Sequence, residues 1–86
     1  MQRGWVVSPE YRVAITSLKD ARIELSISQR ELARRLGKPP SFVNKIEQLE
    51  RRLDILEFIS IAEAMGLKSE DLLVRLRGLL PEVISI

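Results

Sequence analysis

The 86-residue sequence predicts an all-α fold of five short helices, and three observations carry that reading. Strict apolar/polar alternation is absent, so no stretch asks to be a half-buried strand. Apolar residues recur instead at three- and four-residue spacing in five segments. Start and stop residues bracket these segments, and no connection between them exceeds about six residues.

The first segment opens at Ser8, an N-cap candidate, with Pro9 at the favoured first position and Glu10 in the electropositive first turn. Its inner stripe runs Tyr11, Ala14, Ile15, Leu18, Ala21, Arg22, Leu25. Ser28 starts the second, "QRELARRL", and Ser28-x-x-Glu31 has capping-box spacing. Leu32, Ala33 and Leu36 form its inner face, and Gly37 suits the left-handed stop. The third runs from about Pro40 to Gln48, with Val43 and Ile46 inward. Asp54 caps the fourth, where Phe58, Ile61, Ala62 and Met65 share a face and Gly66 closes it. Ser69 caps the fifth, Glu70 and Asp71 lie in its first turn, and Leu72, Leu73, Leu76, Leu79 and Leu80 line it before Pro81. Length, short connections and the lack of repeats fit a single domain over residues 1–86.

Composition excludes several functions. Cys and His are both absent, which removes disulfides, the usual zinc sites and Ser-His or Cys-His nucleophile pairs. Glu47 and Glu50 stand three apart, but no His or ligand set accompanies them, so no enzyme, metal or cofactor is expected. No apolar run approaches the ~18 residues of a membrane span. The opening "MQRGWVVSPEYR" is unlike a secretory signal, which sets a cytoplasmic, nucleoid-associated expectation.

The net charge of +2 hides a gradient: +1 over residues 1–27, +4 over 28–52 and −3 over 53–86. Inside the basic segment lies "LGKPPSF", where two prolines interrupt the helical pattern for only a few residues. Proline costs about 3 kcal/mol within a helix but little at its first position. Pro40 fits that position, and Pro39, extended as a residue before proline must be, fits the N-cap. Gly37-Lys38-Pro39 is then a tight turn between two helices, the helix-turn-helix geometry. Ala33 allows a close crossing. The outer face of the second of these helices carries Pro40, Ser41, Asn44, Lys45 and Gln48, residue types that read base edges in a major groove, with no acid among them. A merely solvated face is the duller reading of the same residues, and it is the expected state of Arg30, Arg34 and Arg35.

The stretch "ISQRELARRLGKPPSFVNKIEQLERRLDILEFISIAEAMG" resembles the phage-repressor-like (Xre/Cro-type) helix-turn-helix family of transcriptional regulators, with the likeness extending over residues 15–67. The resemblance implies a compact five-helix, lambda-repressor-like DNA-binding domain. It also implies roles. Gln29, at the start of the second helix, would hold a phosphate. Ser41, Asn44 and Lys45 would face bases, and Phe42 would pack at the edge of the DNA backbone. Gln48 and Arg51 would reach phosphates. Arg22 and Glu47 would form a partly buried ion pair between the first and third helices. Three positions depart from the family's pattern. Leu49 replaces a common glycine, which suggests a continued helix. Ser26 replaces another, at the end of the first helix. Pro40 replaces a base-contacting residue, often Gln, and leaves only apolar contact, for instance with a thymine methyl.

The function expected is a sequence-specific double-stranded DNA-binding regulator, a repressor acting as a homodimer on a near-palindromic operator. The alternative is an antitoxin or protein-interaction module with a toxin as partner. The tail "LLVRLRGLLPEVISI" has more apolar surface than one helix face needs, and "WVV" at residues 5–7 adds more. Such surface suggests an interface. A homodimer is therefore expected on Leu76, Leu79, Leu80, Val83 and Ile84, with the terminal segments able to pair as short strands.

Overall fold

A computed structural model describes residues 8–84. Five helices follow in order: α1 (Pro9–Glu24), α2 (Gln29–Leu36), α3 (Ser41–Glu47), α4 (Ile55–Ala64) and α5 (Ser69–Leu79). No strand occurs among the described residues. The strand pairing expected of residues 5–7 and of the last residues of the tail falls outside them in part, at 5–7 and 85–86.

The helix starts follow local chemistry. The Ser8 hydroxyl accepts from the Tyr11 N–H at 3.0 Å, and Pro9 occupies the first turn. The Ser28 hydroxyl accepts from the Glu31 N–H at 3.0 Å, but the box is half made: the Glu31 carboxylate turns to Arg34 and Arg35 instead. A full capping box forms at α4, where Asp54 accepts from the Glu57 N–H at 2.8 Å and the Glu57 carboxylate accepts from the Asp54 N–H at 3.0 Å. Two starts differ from expectation by one residue. Lys68, without a capping side chain, holds the cap position of α5, and Ser69 is its first helical residue. Pro40, not Pro39, precedes α3, and its φ of −55° and ψ of −29° are already helical. The pyrrolidine ring permits this, since it fixes φ near the helical value and leaves only ψ to be set by the chain. The Pro39 carbonyl accepts from the Phe42 N–H at 2.9 Å.

The stops share one device. At the ends of α1, α2, α3 and α4 a left-handed residue is followed by the paired 6→1 and 5→2 hydrogen bonds of a Schellman motif. Gly37 (φ +67°) and Gly66 (φ +83°) fill two of the four positions as the sequence suggests. Ser26 (φ +58°) and Leu49 (φ +62°) fill the others. The expected continuation of α3 through Leu49 is therefore wrong. The Glu50 N–H closes back on the Lys45 carbonyl at 2.8 Å and the helix ends. Leu49 offsets its backbone strain by packing against the core. Leu25, placed on the inner stripe by spacing, lies past the last turn of α1 and is 43% exposed.

The core gathers Ile15, Leu18 and Ala21 of α1, Leu32 and Ala33 of α2, Val43 and Ile46 of α3, Phe58, Ile61, Ala62 and Met65 around α4, and Leu72 and Leu76 of α5. Packing runs α2 on α3, α2 on α4, α4 on α5, with α1 touching both α3 and α5. Ala33 is fully buried, which lets the α2–α3 crossing close. Leu76 is thus a core residue, not an interface residue, and Leu80 is half-buried against the same cluster. Both turn inward because α5 must cover α1 and α4 with its one apolar stripe. Leu73, Val74, Leu79, Val83 and Ile84 stay exposed.

Candidate nucleic-acid interface

α3 is anchored from behind. Val43 and Ile46 are each 3% exposed, so the opposite face must point outward. Ser41, Asn44, Lys45 and Gln48 lie on that face and are exposed, as is Pro40 just before it. Lys45 has no ion-pair partner among the described residues. Glu47, the one carboxylate of the helix, is turned away from this face. Its Oε2 accepts from Arg22 Nε at 2.7 Å, and its Oε1 from Arg22 Nη2 at 2.9 Å. Arg22 is itself buried and donates its Nη1 to the Ile27 carbonyl at 2.8 Å. The pair fixes the far end of α3 to α1. The outward face keeps its side chains free for a ligand.

Gln29 sits at the first position of α2 and its Nε2 donates to Glu47 Oε1 at 2.7 Å. Its side-chain amide N–H is therefore engaged inside the fold, in a third strand of the Arg22–Glu47 network. The α2 N-terminus is held beside the end of α3 by the same bond. Ser28, Arg30, Glu31, Arg34, Lys38 and Pro40 line an open groove of about 390 Å³ that leads to the start of α3. Arg34 and Arg35 hold the Glu31 carboxyl down to about 2, Arg34 being the larger cause. Glu31 therefore stays ionised, and the groove's balance is positive because Arg30, Arg34 and Lys38 outnumber it.

Phe42 is half-buried and packs on the core. The Arg51 guanidinium carbon lies 4.9 Å from its ring centre and Lys38 Nζ 5.5 Å from it, both within cation–π range. Arg51 also meets Glu57 of α4 in a bidentate pair at 2.9 and 2.6 Å. Those bonds hold the Glu57 carboxyl below the usual carboxylate range, helped by the Asp54 N–H. The loop that carries Arg51 is pinned at a second point. The Leu53 N–H donates to the Tyr11 hydroxyl at 3.0 Å, and Arg52 lies 4.9 Å over the Tyr11 ring.

Sequence reasoning named Arg51 and Phe42 but missed Glu57 and Lys38 as their neighbours. The Asp54-x-x-Glu57 spacing signals the capping box. It carries no hint that the same carboxylate reaches back across the loop to Arg51.

Helix, left-handed glycine turn and second helix, with a polar outward face on the second and an inward ion pair behind it, define a helix-turn-helix protein. The helix-turn-helix family matches residues 18–73. A solved structure of an XRE-family like protein from Pseudomonas syringae pv. tomato str. DC3000 is similar at 42% identity with a TM-score of 0.77. The likeness covers 84% of this chain and 88% of that one. No curated protein matches. The chain belongs to the Xre-type helix-turn-helix family, whose members are DNA-binding regulators.

Proposed function

We propose that the protein is a repressor that binds double-stranded DNA sequence-specifically as a homodimer on a near-palindromic operator. The observation that carries the reading is the face of α3: Ser41, Asn44, Lys45 and Gln48 are exposed together, and the helix's one carboxylate is turned away into the Arg22 pair. Lys45 supplies donors for guanine O6 and N7, and Asn44 a donor–acceptor pair for adenine. Pro40 offers a thymine methyl an apolar contact. The positive groove at the start of α3 suits phosphates, which set register and carry no base information.

The homodimer is supported by the apolar residues that the fold leaves uncovered. Leu79, Val83 and Ile84 are 58%, 83% and 40% exposed. A twofold pairing there would repeat one recognition helix along the duplex, with half-sites about 34 Å apart. Promoter occlusion would follow from occupancy, in the cytoplasm where the nucleoid lies.

Selection of bound duplexes from a random pool tests the function. An enriched motif with twofold symmetry is expected, and recovery of unselected sequence would overturn the reading. Sedimentation of the chain and of its Leu79→Asp/Ile84→Asp variant tests the dimer. The parent should sediment as a dimer and the variant as a monomer with much weaker operator binding. A parent that stays at 9.9 kDa at micromolar concentration would exclude the dimer.

A further inference from the structure

Arg51 has five N–H donors in a rigid plane, and the fold uses three of them. Nη1 donates both to the Arg52 carbonyl at 3.0 Å and to Glu57 Oε1 at 2.9 Å. Nη2 gives one hydrogen to Glu57 Oε2 at 2.6 Å. Among the described residues Nε–H and the remaining Nη2–H have no partner. These two hydrogens point the same way along one edge of the guanidinium. They form a complete fork of the kind that grips two phosphate oxygens in parallel. One face of the plane is backed by the Phe42 ring at 4.9 Å. The side chain remains 40% exposed, while the Glu57 side chain is only 22% exposed. A long surface arginine ordinarily samples many rotamers. This one is held by a carboxylate, a carbonyl and a ring, and its free edge is left to solvent at the end of the recognition helix.

We propose that Glu57 is a positioning residue for DNA binding: it locks the Arg51 guanidinium against Phe42 so that the unused Nε/Nη2 fork is preset for a backbone phosphate. The inference rests on the DNA-binding reading above and extends it to a residue of α4 that makes no DNA contact itself. Glu57 is well placed for the task because its backbone and carboxylate are fixed by the Asp54 capping box. The same carboxylate oxygen, Oε1, serves the Asp54 N–H and the Arg51 Nη1. The N-terminus of α4 and the exit of the recognition helix are thereby joined through one group.

The sign of the effect separates positioning from simple charge. A carboxylate near DNA repels phosphate, so removing it should tighten binding if charge alone mattered. Positioning requires the opposite. Glu57→Gln is the suitable variant, since Gln at the third helical position still completes a capping box but cannot grip both Nη atoms. Binding to a fluorescent duplex carrying the parent's selected site would be measured over a range of salt, in the parent, Glu57→Gln, Arg51→Ala and the double variant. Melting curves would verify that each variant is folded.

Glu57→Gln should weaken binding by about three- to tenfold, the scale of re-freezing one long side chain at an interface. Arg51→Ala should also weaken it and should lower the salt slope by about 0.9, the loss of one phosphate contact. In the Arg51→Ala background the Glu57→Gln loss should vanish. Tighter or unchanged binding by Glu57→Gln overturns the proposal, as does an equal loss in both backgrounds or an unchanged salt slope in Arg51→Ala. Should Glu57→Gln fail to fold, Arg51→Lys decides: it keeps the charge without the fork, and binding equal to the parent's overturns the proposal. A parent that binds no duplex at all overturns the DNA-binding reading itself, and is thereby told apart from these results.

Discussion

Replacing Glu47 with Ala should threaten the fold before it alters DNA contact. The carboxylate accepts three hydrogen bonds, two from Arg22 and one from Gln29. The Arg22 side chain is 10% exposed and cannot swing out to water without breaking its bond to the Ile27 carbonyl. Removing the carboxylate leaves a buried guanidinium without its counter-charge. Stranding one partner of a buried pair costs about 3–5 kcal/mol. A chain of this length has a total stability of roughly 4–13 kcal/mol. In a domain of this size each kcal/mol moves the melting midpoint by about 4–8 °C. Glu47→Ala should therefore lose from about 12 °C up to its entire folded state near room temperature. Arg22→Met combined with Glu47→Ala removes the stranded charge and should recover part of the loss. Recovery stays incomplete because the buried Ile27 carbonyl loses its donor, worth about 1–3 kcal/mol. Glu24→Ala is the control: its bond to Arg75 at 2.7 Å is solvent-exposed and its removal should hardly move the midpoint. Circular dichroism melts and urea titrations of the four proteins decide the matter. A Glu47→Ala variant that melts with the parent, or a double variant no more stable than the single, would refute the reasoning.

Three other outcomes are expected. Lys45→Ala should weaken operator binding by about 1–3 kcal/mol and relax one base position, read by comparing site-selection profiles; an unchanged profile would remove Lys45 from the base-reading set. Ser26→Gly should raise stability by about 0.5–1 kcal/mol, because it relieves a left-handed exposed residue at a smaller entropic cost in the unfolded chain; Leu49→Gly relieves the same strain but deletes a half-buried side chain, worth roughly half the 1.5–3 kcal/mol of a fully buried one, and removes its packing against the core, so its sign should be opposite in a paired melt. The Glu31 carboxyl, held to about 2 by Arg34 and Arg35 against an ordinary 4.5, is depressed in the folded state. Its contribution to stability is therefore complete above 4.5 and is lost as the pH falls through about 2. An NMR titration of Glu31 with a midpoint near 4.5 would show that the bonds to Arg34 and Arg35 do not persist in solution.

Much of this protein is written in local sequence. Ser8-Pro9, Ser28, Gly37 and Gly66 place helix ends because a cap or a left-handed residue acts through backbone within one turn of itself. The spacing of Val43 and Ile46 already sends Ser41, Asn44, Lys45 and Gln48 to the opposite side of α3. Tertiary structure decided the rest, wherever two distant residues compete for one group. Leu49 stops α3 in a left-handed turn because its side chain gains burial against the core, which outweighs backbone strain that the sequence alone would charge to a non-glycine. Leu76 is spent on the core and Leu79 is not, a choice set by which side of α5 meets α1 and α4. Glu31 abandons its capping box for two arginines, while Glu57 keeps its own and takes Arg51 as well. Helix periodicity ranks faces by hydrophobicity. It carries no information about which charged group lies across a loop, because that distance is fixed only when the helices pack.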